Sequence, residues 1–401
     1  MTHEHQTYTV SKGNYIMMVV TLLATLPGFY LGLTDTHVGS AMGSLIFGIA
    51  VFGAAFVLAW AAEAAQMEIS ESLAVAILAL LAVLPEYAVD FVFAWESAHD
   101  PEQQKFAIAN MTGANRLLVG LGWPAVLFLF IYIKKGRTQI ILDKGQRVEI
   151  FYLAMATLYS FIIPFKGELT VIDTAILVTL FALYTRRAAQ MEQIEPELVG
   201  PTRIIANMRR GWRRFTTIAF FLWAGATIFF VAEPFAHSLV QMGADFGINQ
   251  FLLVQWLAPI ASEAPEFIVA ATWAIRGAAG SAMKALISSK VNQWTLLVGT
   301  IPLVYAISGG AIKPFVLDDF QQQELFLTAA QSLFAVAVLV NLRLHQSEGW
   351  LLVGLFLSQM IVESIRMEVA LIYIVLATVY HWFGRKGLIP AMRTGLGLKE
   401  R

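Results

Sequence analysis

Ala261-Ser262-Glu263-Ala264-Pro265-Glu266 lies inside Phe251–Ile275, an otherwise apolar run long enough to cross a bilayer. Glu263 and Glu266 are three residues apart and therefore share a helix face. Pro265 between them has no N–H, so the carbonyl of Ala261, four residues back, loses its usual donor. An acid at mid-membrane depth costs roughly 2.5–3.5 kcal/mol on insertion scales and is by default a mark of function. The dipeptide recurs as Pro85-Glu86, preceded by Leu84, inside a second apolar run, Glu71–Trp95. After each copy a short hydrophilic loop leads to an apolar segment that opens with amides and hydroxyls. Each of these followers reaches Leu-Leu-Val-Gly, at 117–120 and at 296–299. Two broken, acid-bearing helices in matching places of two halves imply a transporter with its ion site between repeats.

The composition agrees. Of 401 residues, 58% are hydrophobic and 14% charged, whereas a soluble domain carries about 25% charge. A net charge of −1, with no basic stripe interleaved with aromatics, excludes a nucleic-acid partner. There is no Gly-x-x-x-x-Gly-Lys-Ser/Thr for a nucleotide-driven pump and no His-Glu-x-x-His for an intramembrane metalloprotease. No cysteine is present, which removes disulfides, thiolate metal sites and thiol nucleophiles. An enzyme or a non-transporting receptor would leave the duplicated acids unexplained. The expected partners are inorganic cations and the lipid bilayer, with no cofactor beyond the transported ions.

Windows of ~20 apolar residues give twelve candidate spans. They are 15–33, 43–65, 71–95, 107–133, 148–164, 168–185, 215–240, 249–275, 284–308, 324–342, 348–365 and 368–384. Basic residues fill the loops after the fourth, sixth and twelfth spans: Lys134 to Arg147, Arg186 to Arg214, and Arg385 to Arg401. All three loops lie on one side of a twelve-span chain, which puts both termini in the cytoplasm and suits a bacterial inner membrane. The expected fold is an all-α membrane protein of two five-helix repeats. An odd number of helices per repeat forces the second copy to be inverted. The expected parts are a tail and extra helix over 1–42, a first repeat over 43–185 and a basic loop over 186–214. A second repeat over 215–365 and a last helix with a basic tail over 366–401 complete them.

These residues resemble the α-repeats of the sodium/calcium exchanger superfamily. Its signature helix ends in small or hydroxyl residues followed by Pro-Glu, and its next helix carries Gly-Asn-x-x-Gly-Ser-Asn. Here the followers read Ala109-Asn110-Met111-Thr112-Gly113-Ala114-Asn115 and Ser288-Ser289-Lys290-Val291-Asn292-Gln293-Trp294. Ala232-Glu233-Pro234-Phe235 is similar to the family's Gly-Ala-Glu-x-Phe element. The resemblance implies a secondary antiporter that exchanges Na⁺ or H⁺ against Ca²⁺ or another cation by alternating access. It further implies that Glu86 and Glu266 are the paired carboxylates holding that cation. The chain departs from the pattern at Ala82-Val83, where the family has hydroxyls, and at two bases, Arg116 and Lys290.

Hard cations want oxygen ligands, so the candidate metal-holding set is Glu86, Glu266, Glu263, Ser262, Asn110, Ser289, Asn292 and Gln293. Ser289, Asn292 and Gln293 have i, i+3, i+4 spacing, which suits either ligation or hydrogen bonding between membrane helices. Lys290 and Arg116 sit several residues into their spans, where snorkelling is open to either but an internal counter-ion is the better reading. Asp90, one turn beyond Glu86, lines the site or its outer mouth, and Glu233 is a gate or secondary site or, as often, a structural acid. If Glu86, Glu263, Glu266, Arg116 and Lys290 all converge, their charges leave −1, which favours a monovalent ion or a proton over Ca²⁺.

Overall fold

The computed structural model describes residues 8–36, 38–65, 67, 84–191, 198 and 200–398. The departure at Ala82-Val83 and most of the third expected span lie outside the described residues. Sixteen helices follow one another among the described residues. They are α1 Lys12–Leu33, α2 Ser40–Ala65, α3 Leu84–Glu96, α4 Gln104–Leu117, α5 Trp123–Ile133, α6 Arg147–Ser160, α7 Ile162–Lys166 and α8 Val171–Ala188. Then come α9 Thr202–Ala206, α10 Arg210–Phe246, α11 Gln250–Arg276, α12 Ala279–Asn292, α13 Val298–Ser308, α14 Asp319–Leu339, α15 Gln346–Ile361 and α16 Arg366–Gly395.

Six helical stretches among the described residues are long and apolar enough to cross a membrane. They are Lys12–Leu33, Ser40–Ala65, Pro101–Ile133, Lys144–Lys166, Arg210–Phe246 and Glu363–Trp382, and the broken pair Gln250–Ala264 with Glu266–Arg276 makes a seventh. The remaining expected spans within the described residues are helical but fall short of that test. α15 has 16 residues, which rise about 24 Å at 1.5 Å each, less than a hydrocarbon core of about 30 Å. The span expected over 284–308 is divided between α12 and α13. α10 starts at Arg210, inside the expected basic loop, and runs as one helix through Pro234 to the left-handed Gly247.

The chain divides into two compact units, and each takes pieces of both expected repeats. One unit holds residues 1–89, 192–250 and 261–265. Its core is the contact of α2 with α9 and α10, through Ala54, Phe56, Val57, Trp60, Ile205, Ala224 and Ile228. Small residues let the backbones approach, as is usual between membrane helices. A Cβ on Gly32 of α1 would stand 2.3 Å from the carbonyl oxygen of Phe230 in α10. The buried Thr25 hydroxyl accepts from Trp223 Nε1 at 2.9 Å, tying α1 to α10 a second time.

The other unit holds 90–191, 251–260 and 266–401. Two segments in it are built alike. α4 has 14 residues, the π-helical turn Leu118–Gly122 has five, and α5 has 11. α12, the π-helical turn Gln293–Leu297 and α13 have the same three lengths. Four short strands lie in the connections: β1 Gln139–Ile141, β2 Glu168–Leu169, β3 Phe315–Val316 and β4 Arg343–His345. β1 pairs antiparallel with β4, Ile140 opposite Leu344. β2 pairs antiparallel with β3, Leu169 opposite Phe315.

The starts of α8 and α14 are closed by side chains, which satisfies some of their orphan N–H groups. Thr170 and Asp173 form a capping box on α8, and Asp318 accepts from Gln321 N at 2.7 Å on α14. α14 is the polar centre of the unit. Gln321, Glu324, Thr328, Gln331 and Ser332 are all buried along it, so its side chains must find polar partners on the helices around it.

Candidate cation site

In the first unit, Glu86, Ser262 and Glu263 are each buried, with 2%, 6% and 3% of their surface exposed. Acids that deep persist when a cation, a proton or a donor compensates them. Glu233 differs. It lies on the exposed side of α10, with His237 one turn on.

In the second unit, α3 and α4 bring two candidates together. Asn110 Nδ2 donates to Asp90 Oδ1 at 2.9 Å, and both side chains are fully buried. Asp90 Oδ2 and Asn110 Oδ1 are left buried without a hydrogen bond, so the pair keeps two oxygens for a further donor or a cation. On α11 and α12, the Ser289 hydroxyl stands beside the Glu266 carboxylate but outside normal hydrogen-bond geometry. Glu266 is half-buried, while Asn292 and Gln293 are buried. Gln293 opens the π-helical turn, so the plain helical face expected for Ser289, Asn292 and Gln293 ends there.

Both bases are fully buried, which excludes snorkelling. Lys290 Nζ donates to Asn115 Oδ1 at 2.7 Å and to the Asn115 carbonyl at 3.3 Å, and lies 4.6 Å from the centre of the Trp294 ring. Arg116 takes a partner that the sequence does not point to. Its Nη2 pairs with Glu324 of α14, and its Nη1 donates to Gln359 Oε1 at 2.7 Å. The guanidinium also lies 5.3 Å from the Trp256 ring centre. Within this unit, then, the Arg116 charge is spent on Glu324 and not on Glu266.

Sequence reasoning misses Glu324 because an apolar window begins at that residue, so it reads as a loop boundary. The available signal is the polar stripe Gln321, Glu324, Thr328, Gln331, which has helical spacing and would face one way. Gln255, Gln359 and Arg366 escape notice as isolated polar residues in or beside apolar runs.

A family model described as sodium/calcium exchanger protein matches residues 38–188 and 216–364. Among solved structures, the H⁺/Ca²⁺ exchanger CAX is 40% identical and covers 96% of this chain and 98% of its own, with a TM-score of 0.92. The Ca²⁺/H⁺ antiporter protein YfkE is 15% identical over 89% of this chain and 100% of that one, with a TM-score of 0.59. The sodium-calcium exchanger NCX_Mj is 16% identical over 86% and 98%, with a TM-score of 0.51. At those two identities the likeness is one of fold. No curated protein matches the chain by sequence. The matched family and structures are exchangers and antiporters, not enzymes. With a family model matched over most of its length and a solved relative at 40% identity, this chain belongs to the sodium/calcium exchanger family of membrane transporters.

Proposed function

We propose that the chain exchanges Ca²⁺ against H⁺ across the membrane, by alternating access around Glu86 and Glu266. The observation that carries the choice of ions is the likeness to an H⁺/Ca²⁺ exchanger over 96% of the chain at 40% identity. A buried carboxylate needs compensation in a low-dielectric interior. Either a proton or a hard cation supplies it, and each excludes the other from the same oxygens. Mutual exclusion is what an antiporter requires: the site returns loaded with one ion or the other. Glu263, Ser262, Asn110, Ser289, Asn292 and Gln293 complete the oxygen set in this reading, with Asp90 acting through its bond to Asn110. Lys290 is an internal counter-ion and Glu233 a residue of the access path. With Arg116 held by Glu324, the acids Glu86, Glu263 and Glu266 less Lys290 leave −2, which suits Ca²⁺, whereas counting Arg116 into the site favoured a monovalent ion.

The same reading keeps twelve helices in two inverted five-helix repeats, one extra helix at each end and both termini cytoplasmic. What supports the layout is the equal build of α4–α5 and α12–α13, and the exchanged strand pairs β1–β4 and β2–β3. The family match in two separate segments also supports it. The test is Ca²⁺ uptake into vesicles reconstituted with the protein, driven in turn by H⁺, Na⁺ and K⁺ gradients. Uptake that follows the pH gradient is expected. Uptake that needs Na⁺ and ignores pH would replace H⁺ as the driving ion.

A further inference from the structure

Glu324 is fully buried, and three donors converge on its carboxylate. Arg116 Nη2 and Gln255 Nε2 both reach Oε2, the amide at 2.6 Å. Arg366 Nη1 lies 2.7 Å from Oε1 as an ion pair, outside hydrogen-bond geometry. Arg116 is at the end of α4, Gln255 is on the leading half of α11, Arg366 opens α16, and Gln359 of α15 holds Arg116 from the far side. Gln331 of α14 reaches the Arg116 carbonyl at 3.4 Å. Five helices thus meet at one carboxylate.

Two of the five carry candidate ligands. α4 bears Asn110, and α11 bears Glu266. They touch close to the clamp: Gln255 Nε2 also lies 3.5 Å from Thr112 Oγ1, and the Gln255 carbonyl rests against Gly113. Two permanently charged guanidinium groups face Glu324, and Arg366 Nη2 also lies 3.9 Å from Glu363 Oε2, so the Glu324 charge is already compensated. A cation gains little beside a carboxylate that two guanidinium groups already compensate, and Oε2 takes both Arg116 and Gln255.

We propose that Glu324 is a positioning residue of the transport site. It sets the relative register of α4 and α11 through Arg116 and Gln255, and carries neither the cation nor the proton. The proposal rests on reading Asn110 and Glu266 as ligands. The first segment offers an internal comparison. With the two π-helical turns aligned, Glu149 of α6 falls on Glu324, and Tyr184 of α8 falls on Gln359. Glu149 is also buried and lies within electrostatic reach of Lys284 on α12, while Tyr184 bonds Ser288 of α12 at 2.7 Å. Each buried acid thus faces a base on the follower helix of the other segment. Glu149 Oε2 and Glu324 Oε1 are both left without a hydrogen bond, and the difference lies at Glu324 Oε2, which takes both Arg116 and Gln255. The plan is shared, but the clamp is built once.

The test uses full-length protein in vesicles, with Ca²⁺ uptake measured against Ca²⁺ concentration and against pH. Glu324→Gln is the direct variant. The triple change Arg116→Met, Glu324→Leu and Arg366→Met is the second, because apolar replacement of a whole buried ion cluster commonly keeps a protein folded. Size-exclusion profile and melting curve report folding in each. The expected result is a rise in KM for Ca²⁺ of roughly tenfold or more, as misplaced ligands produce, with Vmax less affected and, in the triple variant, which frees no guanidinium, the midpoint of the pH profile kept. Glu149→Gln, the same change at the unclamped position, should leave KM close to wild type. A folded triple variant with the wild-type KM overturns the positioning role. Loss of pH dependence in Glu324→Gln overturns it differently, by making Glu324 a proton carrier. An equal rise in Glu149→Gln removes the clamp as the cause. Wild-type vesicles that take up no Ca²⁺ would instead sink the transport reading, a separate and recognisable failure.

Discussion

Gly113 offers the sharpest steric test of the site. A Cβ built at Gly113 would stand 1.9 Å from the carbonyl oxygen of Gln255 and 2.8 Å from its carbonyl carbon. The closest comfortable approach of carbon to a carbonyl oxygen is about 3.3 Å, so α4 and α11 must part by about 1.4 Å. No side chain can yield, because the obstacle is backbone. Overpacking of this kind costs typically 1–3 kcal/mol, so Gly113→Ala should fold with a lowered melting temperature. Function should suffer more than stability. Asn110 is one turn from Gly113 on α4, and it moves with the helix. A displacement near 1 Å at a site of fixed geometry can cost on the order of 10²-fold in rate. Ca²⁺ uptake by Gly113→Ala vesicles should therefore fall by about that factor, at protein amounts equal to wild type. Gly225→Ala on α10 is the matched control, since nothing lies within 4 Å of its added Cβ. If Gly113→Ala is folded and transports like wild type, the contact of α4 with α11 does not position a ligand.

Glu86→Gln and Glu266→Gln should each reduce Ca²⁺ uptake to background with a monodisperse protein, because the amide keeps the shape and loses the charge. Full exchange by either would remove that acid from the site. Lys290→Met withdraws the donor from the buried Asn115 Oδ1, at about 1–3 kcal/mol for an unsatisfied acceptor. Adding Asn115→Leu should recover part of that loss in thermal unfolding, and a purely additive loss would deny the coupling. Single cysteines replacing the exposed Arg137 and Leu396 should react with impermeant thiol reagents from the cytoplasmic side, and those replacing Asp100 and Lys313 from outside. A mixed result within either pair would break the inverted layout.

What can be read in the sequence is whatever one helix determines by itself. Pro85-Glu86 and Pro265-Glu266 announce themselves through apolar flanks and a missing N–H, and the buried state of Glu86 and Glu263 follows from those flanks. Asn110 is marked by its amide in an apolar follower, but its bond to Asp90 needs the turn between α3 and α4. The π-helical turns at Leu118–Gly122 and Gln293–Leu297 have no residue that signals them, since Leu-Val-Gly-Leu-Gly and Gln-Trp-Thr-Leu-Leu share no chemistry. An extra residue in a turn answers packing on neighbouring helices, and neighbours are a tertiary fact.

Arg116 shows most clearly what tertiary structure adds. A base beside amides, inside an apolar follower, goes by sequence to the acids already marked, Glu86, Glu263 and Glu266. Its partner Glu324 is 208 residues away in the chain. Coulomb attraction in a low-dielectric interior depends on distance in space, and a carboxylate with two arginines and an amide at hydrogen-bond range outcompetes any more distant acid for that charge. For the proposed site the reassignment changes the charge count from −1 to −2, and with it the expected cargo from a monovalent to a divalent ion. Neutralising Glu324 while keeping Arg116 should therefore push the preference back, since the freed guanidinium restores a buried positive charge within reach of α4. Competition between Ca²⁺ and Na⁺ for uptake in Glu324→Gln, set against the Arg116→Met and Glu324→Leu double variant, separates lost charge from lost register. A return of Ca²⁺ preference in the double variant alone would make charge the larger cause, and a shared defect in both would leave register as the cause.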